Sequence, residues 1–304
     1  MAKPIRIAGL SRRMPVARAS SKVLRAVLLD LLEKLPEARS GGSKKGIHDL
    51  RVAVKRFREA FRLFRPVLRK KTFRRHQEWI EDLNDALGEV RDRDVALAQL
   101  RKLTGGLAEP PGSVADLMAR LESERLVAND ALTAMLERLQ LEGVHAQLAA
   151  RIEAIEQEAA PGRLTYEFAR ERVLERLLGV RARWTAARRE ATPESLHRVR
   201  IGNKRLRYAI EPFSRMLGKE VGRLYRSASR FHDVLGDLHD ADSMAVMLET
   251  SMAGASKPER RAWEGLSVKV IRQRRVTLRR AFALADKLDP LWNDAQRAVE
   301  EPPA

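Results

Sequence analysis

The chain has 304 residues, 44% of them hydrophobic, no cysteine and a formal net charge of +18. That length can bury one large core or two modest ones. The lack of thiols excludes disulfides, thiolate metal sites and cysteine nucleophiles, and it fits a reducing compartment such as the cytoplasm.

In chain order, residues 1–15 are basic and have no apolar core of signal-peptide length, so they read as a loose or weakly docked tail. The apolar run "VLRAVLLDLLEKL" at 23–35 is interrupted by Arg25, Asp30 and Glu33. No run reaches the roughly 20 residues of a membrane span. Helical spacing of apolar residues predicts helices over about 17–35, 46–68, 72–91, 93–103, 112–141 and 143–158. It predicts a second set over about 164–190, 193–218, 219–236, 239–252 and 258–287. No stretch alternates as a half-buried strand does, so the expected fold is all-α.

Turn-forming residues fall between these helices. "SGGSKKG" opens the second helix, "TGGLAEPPGS" splits the following acidic stretch, and "APG" at 160–162 marks the midpoint. In "TPES", Thr192 is the expected N-cap, with Pro193 at the first helical position. Pro66 and Pro212 are expected to kink or end their helices. The domain then spans 16–290, with halves of about 16–158 and 164–290, and 291–304 forms a C-terminal tail.

Charge alternates in blocks along the chain. Residues 1–75 hold 22 Lys and Arg against 5 Asp and Glu, and residues 76–160 hold 8 against 17. Residues 161–230 return to 18 against 7, and the remainder is nearly balanced at 11 against 12. Two concentrated basic blocks point to a polyanionic partner. Arginine supplies 45 of the 59 basic residues, and its guanidinium fork matches phosphate oxygens.

The blocks are copies of each other. "IHDLRVAVKRFREAFRLF" at 47–64 returns as "LHRVRIGNKRLRYAIEPF" at 196–213, an offset of 149. His48/His197, Arg51/Arg200, Lys55/Lys204, Arg56/Arg205, Arg58/Arg207 and Phe64/Phe213 coincide. At an offset of 148, "LNDALGEVRDRDVALAQL" at 83–100 matches "FHDVLGDLHDADSMAVML" at 231–248. Two motifs repeated in the same order predict a duplicated helical bundle with pseudo-twofold symmetry, its neighbouring helices antiparallel.

On a helical projection, His48, Arg51, Lys55, Arg58 and Arg62 form a stripe about 80° wide. Leu50, Val54, Phe57, Phe61 and Phe64 lie on the opposite face. The second copy repeats the stripe with His197, Arg200, Lys204 and Arg207, while Glu211 replaces Arg62. Arg56 and Arg205 point aside, to flank the stripe or pair with acids. The stripe reads as lacking the i,i+4 glutamates that would neutralise an exposed basic face. Two such ridges brought together by symmetry would repel unless an anion sat between them, so a cationic groove between the halves is expected.

The histidines admit an enzyme reading, in which His48, His197, His232 and His239 join the aspartates as metal ligands for phosphoester hydrolysis. Asn84 and Arg91 stand where the second copy has His232 and His239, which leaves a thin ligand set. No metal, cofactor or catalytic residue is therefore expected. Asp85, Asp92, Asp233 and Asp240 read instead as helix caps or as partners that orient the arginines. Asp94 and Asp242 complete the duplicated acids, and Gly88 and Gly236 mark a helix break or a tight crossing.

The two basic helices, each followed by an "LGxxxDxD" segment, resemble the repeats of the CHAD family, the conserved histidine α-helical domain. The resemblance runs from about residue 15 to residue 290. It implies two pseudo-symmetric helical bundles around a basic cavity, and association with inorganic polyphosphate and its cytoplasmic granules. It places the family histidine at His48 and His197. The binding ridge falls on Arg51, Lys55, Arg56 and Arg58, and on Arg200, Lys204, Arg205 and Arg207. Some relatives adjoin a triphosphate-processing CYTH domain, for which this chain has neither room nor an "ExExK" segment. The expectation is a non-enzymatic polyphosphate-binding module. Nucleic-acid backbone binding is the alternative, weakened by an aromatic content of 5% and the absence of a reader motif.

Overall fold

The computed structural model describes residues 4–5, 7–39, 43–68, 70–105, 112–158 and 162–301, without the side chains of 70–73, 75 and 156–158. The described residues form nine α-helices. Five belong to the first half: α1 (Val16–Arg39), α2 (Lys44–Phe64), α3 (Lys70–Leu103), α4 (Gly112–Leu141) and α5 (Val144–Glu158). Four belong to the second: α6 (Thr165–Arg189), α7 (Pro193–Ile210), α8 (Lys219–Met252) and α9 (Lys257–Glu300). The fold is all-α, and no described helix is long and apolar enough to cross a membrane.

Local signals set the helix ends. The Ser43 hydroxyl accepts from the Gly46 amide at 3.0 Å at the start of α2. Thr192 accepts from the Ser195 amide at 3.1 Å, with Pro193 as the first residue of α7. Each basic helix ends in a short 3-10 turn containing its proline, Arg65–Val67 after α2 and Glu211–Phe213 after α7. Ala160 and Pro161 of the "APG" midpoint and most of "TGGLAEPPGS" lie outside the described residues.

Eleven predicted helices become nine because Gly88 and Gly236 do not break the chain: α3 and α8 run unbroken through them. Both glycines sit beneath an arginine of the basic stripe with room for a methyl group. A methyl at Gly88 would lie 3.5 Å from the Arg51 guanidinium, and one at Gly236 would lie 4.0 Å from that of Arg200. Asp92 and Asp240 are consequently inside helices and cap nothing. In the first half, Gly143 takes a φ of 61° and separates α4 from α5, whereas α9 covers the corresponding length without a break.

The described parts of both expected tails are docked. The Ile5 amide donates to Glu211 at 3.0 Å, Ile5, Ile7 and Leu10 pack on the core, and Pro15 bridges to Leu164. Beyond Pro290, α9 continues to Glu300 because Trp292, Ala295 and Val299 are buried. Burial of these three side chains outweighs the local cost of a proline.

The halves share their cores. The main hydrophobic cluster runs from Val16 to Val299, and the duplicated phenylalanines Phe64 and Phe213 meet edge to face at 6.1 Å. A second cluster, around Leu100, Val114, Leu248 and Trp263, joins the ends of α3, α4, α8 and α9. The Asp94–Arg125 pair at 2.7 Å ties α3 to α4, and Asp242–Arg274 ties α8 to α9 in the same way. These acids serve the helix hairpins.

Candidate functional site

The two basic helices lie side by side. Arg51 and Arg200 are close enough to repel each other at one end, and Phe64 touches Phe213 at the other, so α2 and α7 run in the same direction. Their apolar residues (Leu50, Val54 and Phe57 on α2, Leu196, Val199 and Leu206 on α7) are fully or almost fully buried. This segregation turns the two cationic stripes toward a shared groove.

Lys55 sits at the centre. Burial first, then the charges of Arg51, Arg200 and Lys204, push its pKa down to about 7. Burial also lowers the pKa values of Arg200, Lys204, Arg58 and Arg205. The Nε atoms of Arg51, Arg58, Arg200 and Arg205 are shielded from solvent and have no acceptor among the described residues. Buried guanidinium donors without acceptors favour an anion that supplies them.

Two cavities open along the groove. One, of about 490 Å³, is lined by the basic side chains His48, Arg51, Lys55, Arg91, Arg200 and His239 and also by the acids Asp92 and Asp240. Arg51 donates to Asp92 at 3.1 Å. Asp240 stays near Arg200, although its own burial raises its pKa. The other, of about 940 Å³, is lined by Arg58, Arg62, Arg65, Arg172, Arg176 and Arg205, by Glu78 and Glu81, and by the apolar Phe61, Leu68 and Ile80. Asp85 neighbours Arg58, and Asp233 has its pKa raised by burial.

His48, His197 and His239 all have pKa values lowered, first by burial and then by nearby cations. The His197 and His239 rings lie 4.9 Å apart. His232 is lowered furthest, among Arg207, Arg200, Lys204 and Lys55, and its Nδ1 has no partner among the described residues. Burial and the surrounding cations thus disfavour the protonated form of each of these imidazoles. Among the described residues, no three His, Asp or Glu side chains converge as a possible metal-ligand set.

Three expectations change. Arg56 is no ridge residue: it is 6% exposed and held by Asp30 at 3.1 Å and Glu211 at 3.0 Å. Arg207 turns toward α8, donates to the Ser229 hydroxyl at 2.9 Å and lies over the Tyr225 ring. The stripe also contains a glutamate. Glu59, four residues after Lys55, accepts from Arg62 at 3.1 Å and from Lys204 at 3.3 Å. Glu59 falls only about 20° from His48 on the projection, so helical period alone could have found it. Arg172 and Arg176 of α6 gave no such signal, because their place in the groove comes from packing between helices.

A family model described as CHAD domain matches residues 22–249. The CHAD domain structure from the plant Ricinus communis superposes with a TM-score of 0.65 at 21% identity, covering 100% of this chain and 98% of that one. PptA from Streptomyces chartreusis gives a TM-score of 0.60 at 15% identity, covering 92% of this chain and 100% of that one. At these identities the likeness is one of fold. None of the curated proteins matches the chain.

Proposed function

The chain belongs to the CHAD domain family, and we propose that it is a non-enzymatic binding module for inorganic polyphosphate. The observation that supports this reading most strongly is the set of unpartnered, shielded Nε donors of Arg51, Arg58, Arg200 and Arg205 along one groove. Polyphosphate is a flexible chain of closely spaced negative charges. It would bind by ion pairing and counterion release, which makes affinity fall steeply with salt. A role at polyphosphate granules follows from the same chemistry. Of the phenylalanines on the first basic helix, Phe57 and Phe64 are fully buried and Phe61 lines the larger cavity at only 7% exposure, so little ring surface is offered for stacking nucleic-acid bases.

The test is competition. Labelled long-chain polyphosphate, bound at near-physiological salt, is challenged with duplex and single-stranded DNA at equal phosphate concentration. Retention of polyphosphate supports the proposal, and equal displacement by DNA favours backbone-general binding. Orthophosphate release on addition of Mg²⁺ or Mn²⁺ would overturn the non-enzymatic part.

Affinity is also expected to depend on pH. Lys55 has a pKa of about 7 in the free protein, and a bound polyanion raises it. Above pH 7, binding then takes up a proton, and affinity falls as pH rises, by at most about tenfold per unit for one linked proton. Stability of the empty protein moves the other way. Between about 7 and 10.5 the unfolded chain holds a proton that native Lys55 lacks, so this group's contribution rises with pH across that window. Calorimetry in buffers of different ionisation enthalpy would measure the uptake, and Lys55→Met should remove most of it above neutrality.

A further inference from the structure

We infer that the basic groove comprises two anion sites divided by the Glu59 carboxylate, so that one chain binds two short oligophosphates. The inference rests on the polyanion-binding reading and specifies how the groove is occupied. The linings of the 490 Å³ and 940 Å³ cavities have no residue in common. Along α2, Arg51 and Lys55 line the first cavity, and Arg58 and Arg62 line the second. Along α7, Arg200 belongs to the first and Arg205 to the second.

Glu59 and Lys204 lie at the junction. The Glu59 side chain is 4% exposed and that of Lys204 is 15% exposed. Lys204 feels Arg58 and Arg62 on one side and contributes to the field at Lys55 on the other. By accepting from both Lys204 and Arg62, Glu59 places a negative charge where the cationic stripe would otherwise be continuous. An anion crossing this point loses two cationic partners and meets a carboxylate. The divider is confined to one half, because Tyr208 stands at the equivalent position of the second.

Each cavity has the means to hold its own anion. Arg51 and Arg200 line the first and Arg58 and Arg205 line the second, and each of the four has a shielded Nε without an acceptor among the described residues. Arg51 and Arg62 are eleven residues apart on one helix, about 16 Å at 1.5 Å per residue. An anion of three phosphates is shorter than that and occupies one cavity, whereas a long chain must pass Glu59 to use both.

Titration calorimetry with inorganic tripolyphosphate on the full chain tests this. Two equivalents are expected for the wild type. Arg200→Ala and Arg205→Ala should each retain one equivalent, and their residual sites should differ in pH dependence, since only Arg205→Ala keeps the intact Lys55 cavity. A single equivalent weakened by both variants would overturn the proposal. So would absence of tripolyphosphate binding in a chain that still binds long polyphosphate, whereas loss of both ligands would overturn the polyphosphate reading itself. Glu59→Gln should tighten long-chain binding by about tenfold at low salt by freeing Lys204 and Arg62. Unchanged long-chain affinity in a folded Glu59→Gln protein would remove the divider, and the stoichiometry of the two arginine variants decides the matter if that protein does not fold.

Discussion

Alanine at both Arg51 and Arg200 is expected to weaken binding of long-chain polyphosphate by a hundredfold or more, with the helical circular dichroism signal unchanged. Both guanidinium groups face the central cavity, and each has a shielded Nε without an acceptor among the described residues. Charge-assisted hydrogen bonds contribute about 1.5–3 kcal/mol each, so two lost anchors correspond to at least two orders of magnitude. Removing them also relieves repulsion, because Arg51, Arg200 and Lys204 all depress the pKa of Lys55. The Lys55 pKa should therefore move back toward its ordinary value in the double variant, a shift readable by NMR titration. Loss of helicity on substitution would instead make these arginines part of the scaffold.

Arg56→Ala is expected to act on stability, lowering it by about 3–5 kcal/mol, the usual cost of removing one partner from a buried ion pair. Arg56 joins Asp30 of α1 to Glu211 beyond the end of α7, and Glu211 also accepts from the Ile5 amide. Its removal leaves two acids without their common cation and loosens the N-terminal segment along with both halves. Arg56→Lys should recover part of the loss, since one ammonium supplies the charge without the two-armed geometry. A lowered midpoint in urea, with polyphosphate affinity of the folded fraction unchanged, would separate this arginine from Arg51. An unchanged midpoint would show that the buried network contributes nothing.

Arg56 and Arg51 also show what can be read from a sequence. Both are arginines in the same duplicated motif, and the second copy has Arg205 and Arg200 at their places. Helical period put Arg51 on the stripe and Arg56 off it, but could not say whether Arg56 flanks the groove or pairs with acids. The partners, Asp30 and Glu211, lie 26 and 155 positions away in sequence, on elements whose packing sets the distance. The equivalent Arg205 lines the larger cavity instead. Duplication thus preserves residue type while the surroundings of the two copies diverge.

The same limit applies to the glycines and prolines. Gly88 and Gly236 carry a local signal that fits a break or a close crossing equally well, yet α3 and α8 run unbroken through them and a methyl at either would meet the arginine above it only at an ordinary contact distance. Pro66 and Pro212 end their helices as local chemistry requires. Pro290 does not, since Trp292 beyond it is held in the core.

By itself the sequence determined the all-α class, the duplication and the cationic stripe, because spacing along a helix is a local property with a fixed period. It also identified the family resemblance through two ordered motifs. Only the tertiary structure decided that α2 and α7 lie alongside each other, that Lys55 is held near pKa 7, that Arg56 is buried, and that Glu59 of α2 pairs with Lys204 of α7. Those outcomes depend on burial and on charge acting through space, and neither is encoded in the separation of residues along the chain.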